Sequence, residues 1–199
     1  MIKCILFDMG GVLFLPGTSA AFAEKMQEQY NKPKNLVQKM HKKNLEQLET
    51  DHMDSHTFWT TLLQDLNIPL KEEEHVKEIA YKKDHPNTEM IKLVVMLKKK
   101  YLVGMLTNNN REMHERRLQE SDIGDLFDYI FTSYELGFRK PDPQIYWAVV
   151  KELNMKPEEI IFFDDDPENI VSAKSIGMHA ILYESVTQMK REIKKIKIL

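Results

Sequence analysis

The second half of the chain alternates between short apolar runs and amphipathic stretches, and this rhythm constrains the fold more than any other feature. Apolar runs at 101–107, 129–133, 160–163 and 179–183 read as strands. Stretches at 88–100, 110–120, 143–153 and 167–176, and the C-terminus, carry helical spacing. Regular strand–helix alternation builds a parallel sheet covered by helices on both faces. One more apolar run, at 3–7, stands far from the others and ends at Asp8 and then Gly10-Gly11. It reads as a buried strand entering a tight loop. The predicted class is therefore α/β, a doubly wound, Rossmann-like parallel sheet.

The first run is separated from the rest by a long polar stretch with helical periodicity. Helices are expected at 19–30, 33–48, 55–66 and 71–82, with Ser19 and Asp54 or Ser55 as N-caps. Breakers flank the stretch, Pro16-Gly17 on one side and His85-Pro86-Asn87 on the other. The expected organisation is an α/β core of residues 1–15 and 87–199 with an all-helical cap domain, 16–86, inserted into the first crossover.

Composition narrows the function. The chain has 199 residues, 42% of them hydrophobic, enough for one sizeable core with a small appendage. A net charge of −3 excludes the basic footprint of a nucleic-acid binder. Lys98, Lys99, Lys100 and the Lys-rich C-terminus read as solvated helix faces. Cys4 is the only cysteine, so no internal disulfide can form, and it reads as a small buried hydrophobe in a reducing compartment. The N-terminal apolar stretch is broken by Asp8 and two glycines, unlike a signal peptide, and no run is long enough to span a membrane. A cytoplasmic monomer or homodimer is expected, with no nucleic-acid or membrane partner.

In open parallel sheets, ligands bind beyond the carboxyl ends of the strands. The first strand ends at Asp8, the second at Thr107-Asn108 and the fourth at Asp164-Asp165-Asp166. Lys140 lies between the third and fourth strands, in FRKPDPQIY. Crowded carboxylates raise one another's pKa values, and a cation relieves this. The donors are all oxygens, so Mg²⁺ is the expected metal. Lys140, Thr107 and backbone amides then suit a phosphate beside it. Asp166 before Pro167 reads as an N-cap, as do Asn110 and Asp142; Arg139 reads as a surface charge. Phe58, Trp59 and the cap methionines read as helix packing, and the cap histidines as surface residues.

With FDMGGVL, LTNNN, FRKPDP and FFDDDPEN in that order, the chain resembles the haloacid dehalogenase superfamily of hydrolases. It looks most like the branch with a helical cap after the first strand, similar to the phosphatase domain of soluble epoxide hydrolases and to bacterial sugar-phosphate phosphatases. The resemblance implies a Mg²⁺-dependent phosphatase acting on a small phosphorylated substrate. Asp8 would be the nucleophile that forms an aspartyl-phosphate. Asp8, the Gly10 carbonyl, Asp165 and Asp164 would hold Mg²⁺. Thr107 and the Asn108 backbone would orient phosphoryl oxygens, and Lys140 would neutralise charge between nucleophile and phosphate.

One position departs from the family pattern. Most of its phosphatases carry a second aspartate two residues after the nucleophile, as general acid–base, and this chain has Gly10. Such a group contributes about 10²–10⁴-fold in rate. Asp51, His52, His56 and His114 are candidate substitutes, and a sugar phosphate with a good leaving group would ease the demand. Two other readings stand beside the phosphatase. A 2-haloacid dehalogenase uses the same aspartate without metal, which would leave Asp164-Asp165 uncompensated. A non-catalytic protein would bind a phosphorylated ligand or a partner.

Overall fold

The computed structural model describes residues 1–15, 19–81, 85–196 and 198. The breaker Pro16-Gly17 and the expected helix end at Lys82 lie outside them, as does the side chain of the Ser19 cap. The chain opens with β1 (Cys4–Phe7) and β2 (Phe14–Leu15). The cap follows with α1 (Ser19–Tyr30), α2 (Lys34–Lys43), α3 (Leu45–Glu49), α4 (Ser55–Asp65) and α5 (Glu73–Ala80). After β3 (His85–Pro86) come α6 (Thr88–Leu97), β4 (Leu102–Thr107), α7 (Arg111–Ser121), β5 (Tyr129–Thr132) and α8 (Ser133–Leu136). The chain then passes through α9 (Pro143–Leu153), β6 (Ile160–Asp164), α10 (Pro167–Ser175), β7 (His179–Leu182) and α11 (Val186–Lys195).

The main sheet is parallel throughout, in the order β5-β4-β1-β6-β7. Its central strand is buried on both faces, which explains a continuous apolar run rather than an alternating one. Cys4 and Leu6 point to a cluster with Ile145, Tyr146 and Val149 of α9 and Ile170 and Ala173 of α10. Ile5 and Phe7 point the other way, to Met90, Leu93 and Val94 of α6 and Met189 and Ile193 of α11. Each such aliphatic or aromatic side chain contributes about 1.5–3 kcal/mol by leaving water. Phe7 pairs with Met105 on one side and Phe163 on the other. The carboxyl ends of the three central strands therefore stop at one level, with Asp8, Thr107 and Asp164 together at the rim.

The cap has its own core, in which Phe22, Met26, Val37, Phe58, Trp59, Leu62 and Val76 are buried against one another. Phe58 and Trp59 thus pack as expected, with ring centroids 5.1 Å apart at 88°. The stretch expected as one helix over 33–48 divides at Asn44, whose backbone leaves the helical region at φ −118°, ψ 9°. Asp54 caps α4 by accepting from the Thr57 N–H. His41 is half-buried rather than a plain surface residue, lying among the rings of Phe22, Phe58 and Trp59.

The residues just before the first breaker pair with the start of the second. β2 and β3 form an antiparallel ladder, Phe14 against Pro86 and Leu15 against His85. The Asn87 side chain donates to the Val12 carbonyl and to Tyr183 Oη, which ties the return linker to the core. Among the described residues, no helix is long and apolar enough to cross a membrane.

Candidate active site

Asp8 follows β1 directly, and its N–H donates to the Phe163 carbonyl at 2.8 Å. Its carboxylate Oδ1 accepts from the Met9 N–H at 2.7 Å. The Lys140 ammonium lies 2.8 Å from the same oxygen and 2.6 Å from Asp164 Oδ2. Lys140 is only 2% exposed and Asp164 fully buried, so the lysine is an internal counter-charge. The Asp8–Lys140–Asp164 chain puts one positive group between two negative ones.

Lys140 is held there by its own backbone. Its N–H donates to Asn108 Oδ1 and its carbonyl accepts from Asn108 Nδ2, both at 2.8 Å. The Asn108 side chain therefore clamps the loop carrying Lys140 to the end of β4. Thr107 is buried at that strand end, with Oγ1 3.4 Å from the Asn108 carbonyl. Asp164 is further satisfied by the Asp166 N–H at 2.8 Å and by Asn169 Nδ2, 3.0 Å from each oxygen. Asn169 has no counterpart in the sequence reading. Its signal was its place five residues after Asp164, in the first turn of α10. Asp166, Asn110 and Asp142 cap their helices as expected, accepting from the N–H groups of Glu168, Met113 and Gln144.

Asp8, Asp164 and Asp165 offer carboxylate oxygens that lie within 4.8 Å of one another. Burial pushes the Asp8 carboxyl up to about 7; Lys140 opposes the rise and Asp164 and Asp165 add to it. Burial likewise raises Asp165, with Asp164 adding to it. For Lys140 burial acts downward, but the two carboxylates outweigh it and hold the ammonium above its ordinary value. Three carboxylates against one lysine leave negative charge that a hard divalent cation with oxygen ligands would offset. The donor set fits Mg²⁺.

The loop after Asp8 is shaped by its glycines. Gly11 has φ +74°, and a Cβ there would lie 2.2 Å from Asp165 Oδ2. Only glycine lets the Asp165 carboxylate approach this backbone. Gly10 bridges to Phe14, and a Cβ built on it meets nothing within 4 Å among the described residues.

A cavity of about 220 Å³ lies between cap and core, beside Asn108. His41, Glu49, Trp59 and Tyr81 line it from the cap and Asn108 and Arg117 from the core. Arg117 in α7 also feels the Asp8 charge; burial lowers its pKa to about 10. Another hollow, of about 340 Å³, is lined by Lys25, His75 and Arg116 and contains none of the strand-end groups. Arg139 does not stand alone on the surface as expected. Its Nε lies 2.9 Å from Glu49 Oε2, a buried carboxylate at the end of α3. The sequence reading missed Glu49, because its partner belongs to the other unit.

The four candidate substitutes for an acid–base lie elsewhere. Asp51 is exposed and 3.7 Å from Arg111. His52 Nδ1 is bonded to Thr50 Oγ1, and His56 to Glu73. His114 is buried against the Tyr134 ring. None of the four lines the cavity beside Asn108.

The chain is similar to proteins of known kind, some of them much longer. It is 26% identical to the bifunctional epoxide hydrolase 2 of Sus scrofa over 98% of its own length, but spans only 39% of that protein. It is 25% identical to the phosphorylated carbohydrates phosphatase of Thermotoga maritima, over 90% of this chain and 84% of the relative. A haloacid dehalogenase family enzyme of Bacteroides thetaiotaomicron, solved with magnesium and inorganic phosphate, shares the fold with a TM-score of 0.78 at 22% identity, covering 95% of this chain and 99% of that one. Residues 2–177 match the haloacid dehalogenase-like hydrolase family as a whole. With the parallel sheet, the helical insertion and the acidic rim in place, the chain belongs to the haloacid dehalogenase-like hydrolases.

Proposed function

We propose that the protein is a Mg²⁺-dependent phosphatase of a small phosphorylated metabolite, sugar phosphates among them. The observation that carries this reading is Lys140 held between Asp8 and Asp164 with the Asp165 carboxylate beside them. A dehalogenase that works without metal has no use for that surplus of negative charge. The phosphatase of Thermotoga maritima and the magnesium- and phosphate-bound Bacteroides enzyme support the same reading.

In this scheme Asp8 attacks phosphorus. Both of its donors, Met9 N–H and Lys140, fall on Oδ1, which leaves Oδ2 for bond formation. Lys140 fixes the carboxylate and draws off charge as the aspartyl-phosphate forms. Thr107 and the Asn108 backbone orient the phosphoryl oxygens, while the Asn108 side chain keeps Lys140 in place. An Asp8 oxygen, the Gly10 carbonyl, Asp165 and Asp164 would hold Mg²⁺, which supplies positive charge against the phosphoryl oxygens. In this scheme the cap helices supply one side of the cavity beside Asn108, which takes the organic part of the substrate.

Phosphate release from an aryl phosphate and halide release from a 2-haloacid, each with and without Mg²⁺, test the reading. Metal-dependent phosphate release, lost in Asp8→Asn, is expected. Metal-independent halide release would replace it with the dehalogenase. Silence on both would point to a non-catalytic binding protein.

A further inference from the structure

We infer that Glu49, a carboxylate of the cap, is the proton donor to the leaving group and takes over the task of the aspartate absent at position 10. The inference rests on the phosphatase reading and deepens it. Gly10 leaves the nucleophile loop without an acid, and the space beyond its Cα is open. An acid for an unactivated substrate must therefore come from elsewhere, and the cavity beside Asn108 is where cap and core residues meet. The titratable side chains lining it are His41, Glu49, Tyr81 and Arg117. His41 is packed among three aromatic rings, with centroids 5.2–6.2 Å away, and burial keeps it neutral. Tyr81 accepts from the Trp59 indole, and burial pushes its phenol up to about 12. Arg117 is a fixed cation beside Asp8. Glu49 remains.

Its geometry suits the task. Glu49 is 9% exposed and lines the cavity with Asn108, whose side chain grips Lys140. Arg139, the residue before Lys140, fixes the carboxylate at 2.9 Å but out of line for a hydrogen bond, so Glu49 Oε2 is buried with that valence unused. A buried polar atom in this state gains most by bonding a ligand. Of the charged groups around it, Arg139 and Lys140 favour the carboxylate and Glu46 opposes it, while burial outweighs them and raises the pKa. His41 and Arg117 line the same cavity.

Asp8 Oδ2 forms a bond to phosphorus. The bond from phosphorus to the leaving oxygen breaks, its electron pair stays on that oxygen, and the Glu49 carboxyl proton completes the alcohol. Water then loses a proton to the Glu49 carboxylate and attacks phosphorus. The bond to Asp8 breaks with its pair returning to the carboxylate, which frees phosphate and restores the protonated Glu49.

Leaving-group dependence tests this. The kcat/KM of wild type, Glu49→Gln and Arg139→Gln, which reports the steps up to release of the alcohol and not the later attack of water, is measured on p-nitrophenyl phosphate, which needs little protonation, and on an alkyl phosphate, which needs much. Glu49→Gln keeps the shape, and its thermal unfolding checks folding. The expected result is a loss of about 10²-fold or more on the alkyl phosphate and under about 10-fold on the aryl one. Arg139→Gln, which releases the carboxyl from the group that fixes it, should show the same preference for loss on the alkyl phosphate, to a smaller extent. In the metal-free protein, the carboxyl ¹³C signal missing from Glu49→Gln should titrate above the ordinary 4.5. Equal losses on both substrates in Glu49→Gln, or an ordinary titration, would overturn the inference while leaving the phosphatase intact. Wild-type silence on both substrates would remove the phosphatase reading and the inference with it.

Discussion

Lys140 sits 2.8 Å from Asp8, and nearly all of its surface is buried. The same ammonium lies 2.6 Å from Asp164, so one cation compensates two buried carboxylates. Removing one partner of a buried pair costs about 3–5 kcal/mol, because the other charge is left unpaired. Lys140→Gln should lose stability on that scale in urea unfolding without metal. It should also abolish phosphate release.

Gly11→Ala should damage the metal site without replacing a ligand. The new methyl group would meet Asp165 Oδ2 at 2.2 Å on a backbone with φ +74°. The carboxylate must move away. Mg²⁺ binding by titration calorimetry should weaken at least 10-fold, an effect of about 1.4 kcal/mol. Unchanged affinity would show that Asp165 is not a ligand.

Gly10→Asp should be tolerated, since its Cβ enters open space. If Glu49 performs the proton transfer, Gly10→Asp should restore alkyl phosphate turnover to the Glu49→Gln variant, by about 10-fold or more. The check is kcat/KM for the single and double variants. No rescue would mean that position 10 does not face the leaving oxygen.

His41 should make stability depend on pH. Burial lowers its pKa from 6.5 to about 4 in the folded chain. Above 6.5 the ring is neutral in both states. As pH falls from 6.5 towards 4, the unfolded chain binds a proton that the folded chain refuses, so stability drops, by up to about 3 kcal/mol once pH is below 4. His41→Phe should flatten this slope. Urea midpoints of the two proteins at pH 7 and pH 5 measure the difference.

The fold was legible because two physical rules act locally and strongly. Strands buried on both faces need continuous apolar runs, and β1, β4 and β6 have them. Parallel strands present their carboxyl ends together, so Asp8, Thr107 and Asp164 could be gathered before any coordinates. Lys140 could be added only because its setting resembles a family motif. What was hidden depends on contacts between distant segments. Arg139 reads as a surface charge until Glu49 of the cap lies against it. Asn169 reads as a helix residue until Asp164 is seen to need its amide. The β2–β3 ladder is two residues long on each side and has no periodicity to detect. The break at Asn44 lies inside a stretch with good helical spacing.

The phosphatase reading stands or falls with phosphorylation of Asp8. The most direct measurement mixes the protein with an aryl phosphate and Mg²⁺, quenches in acid during the first turnovers and maps the peptides by mass spectrometry. One phosphoryl group on Asp8 is expected, absent without Mg²⁺ and absent in Asp8→Asn. Phosphate release that continues with Asp8 unmodified at every quench time, and undiminished in Asp8→Asn, would contradict it.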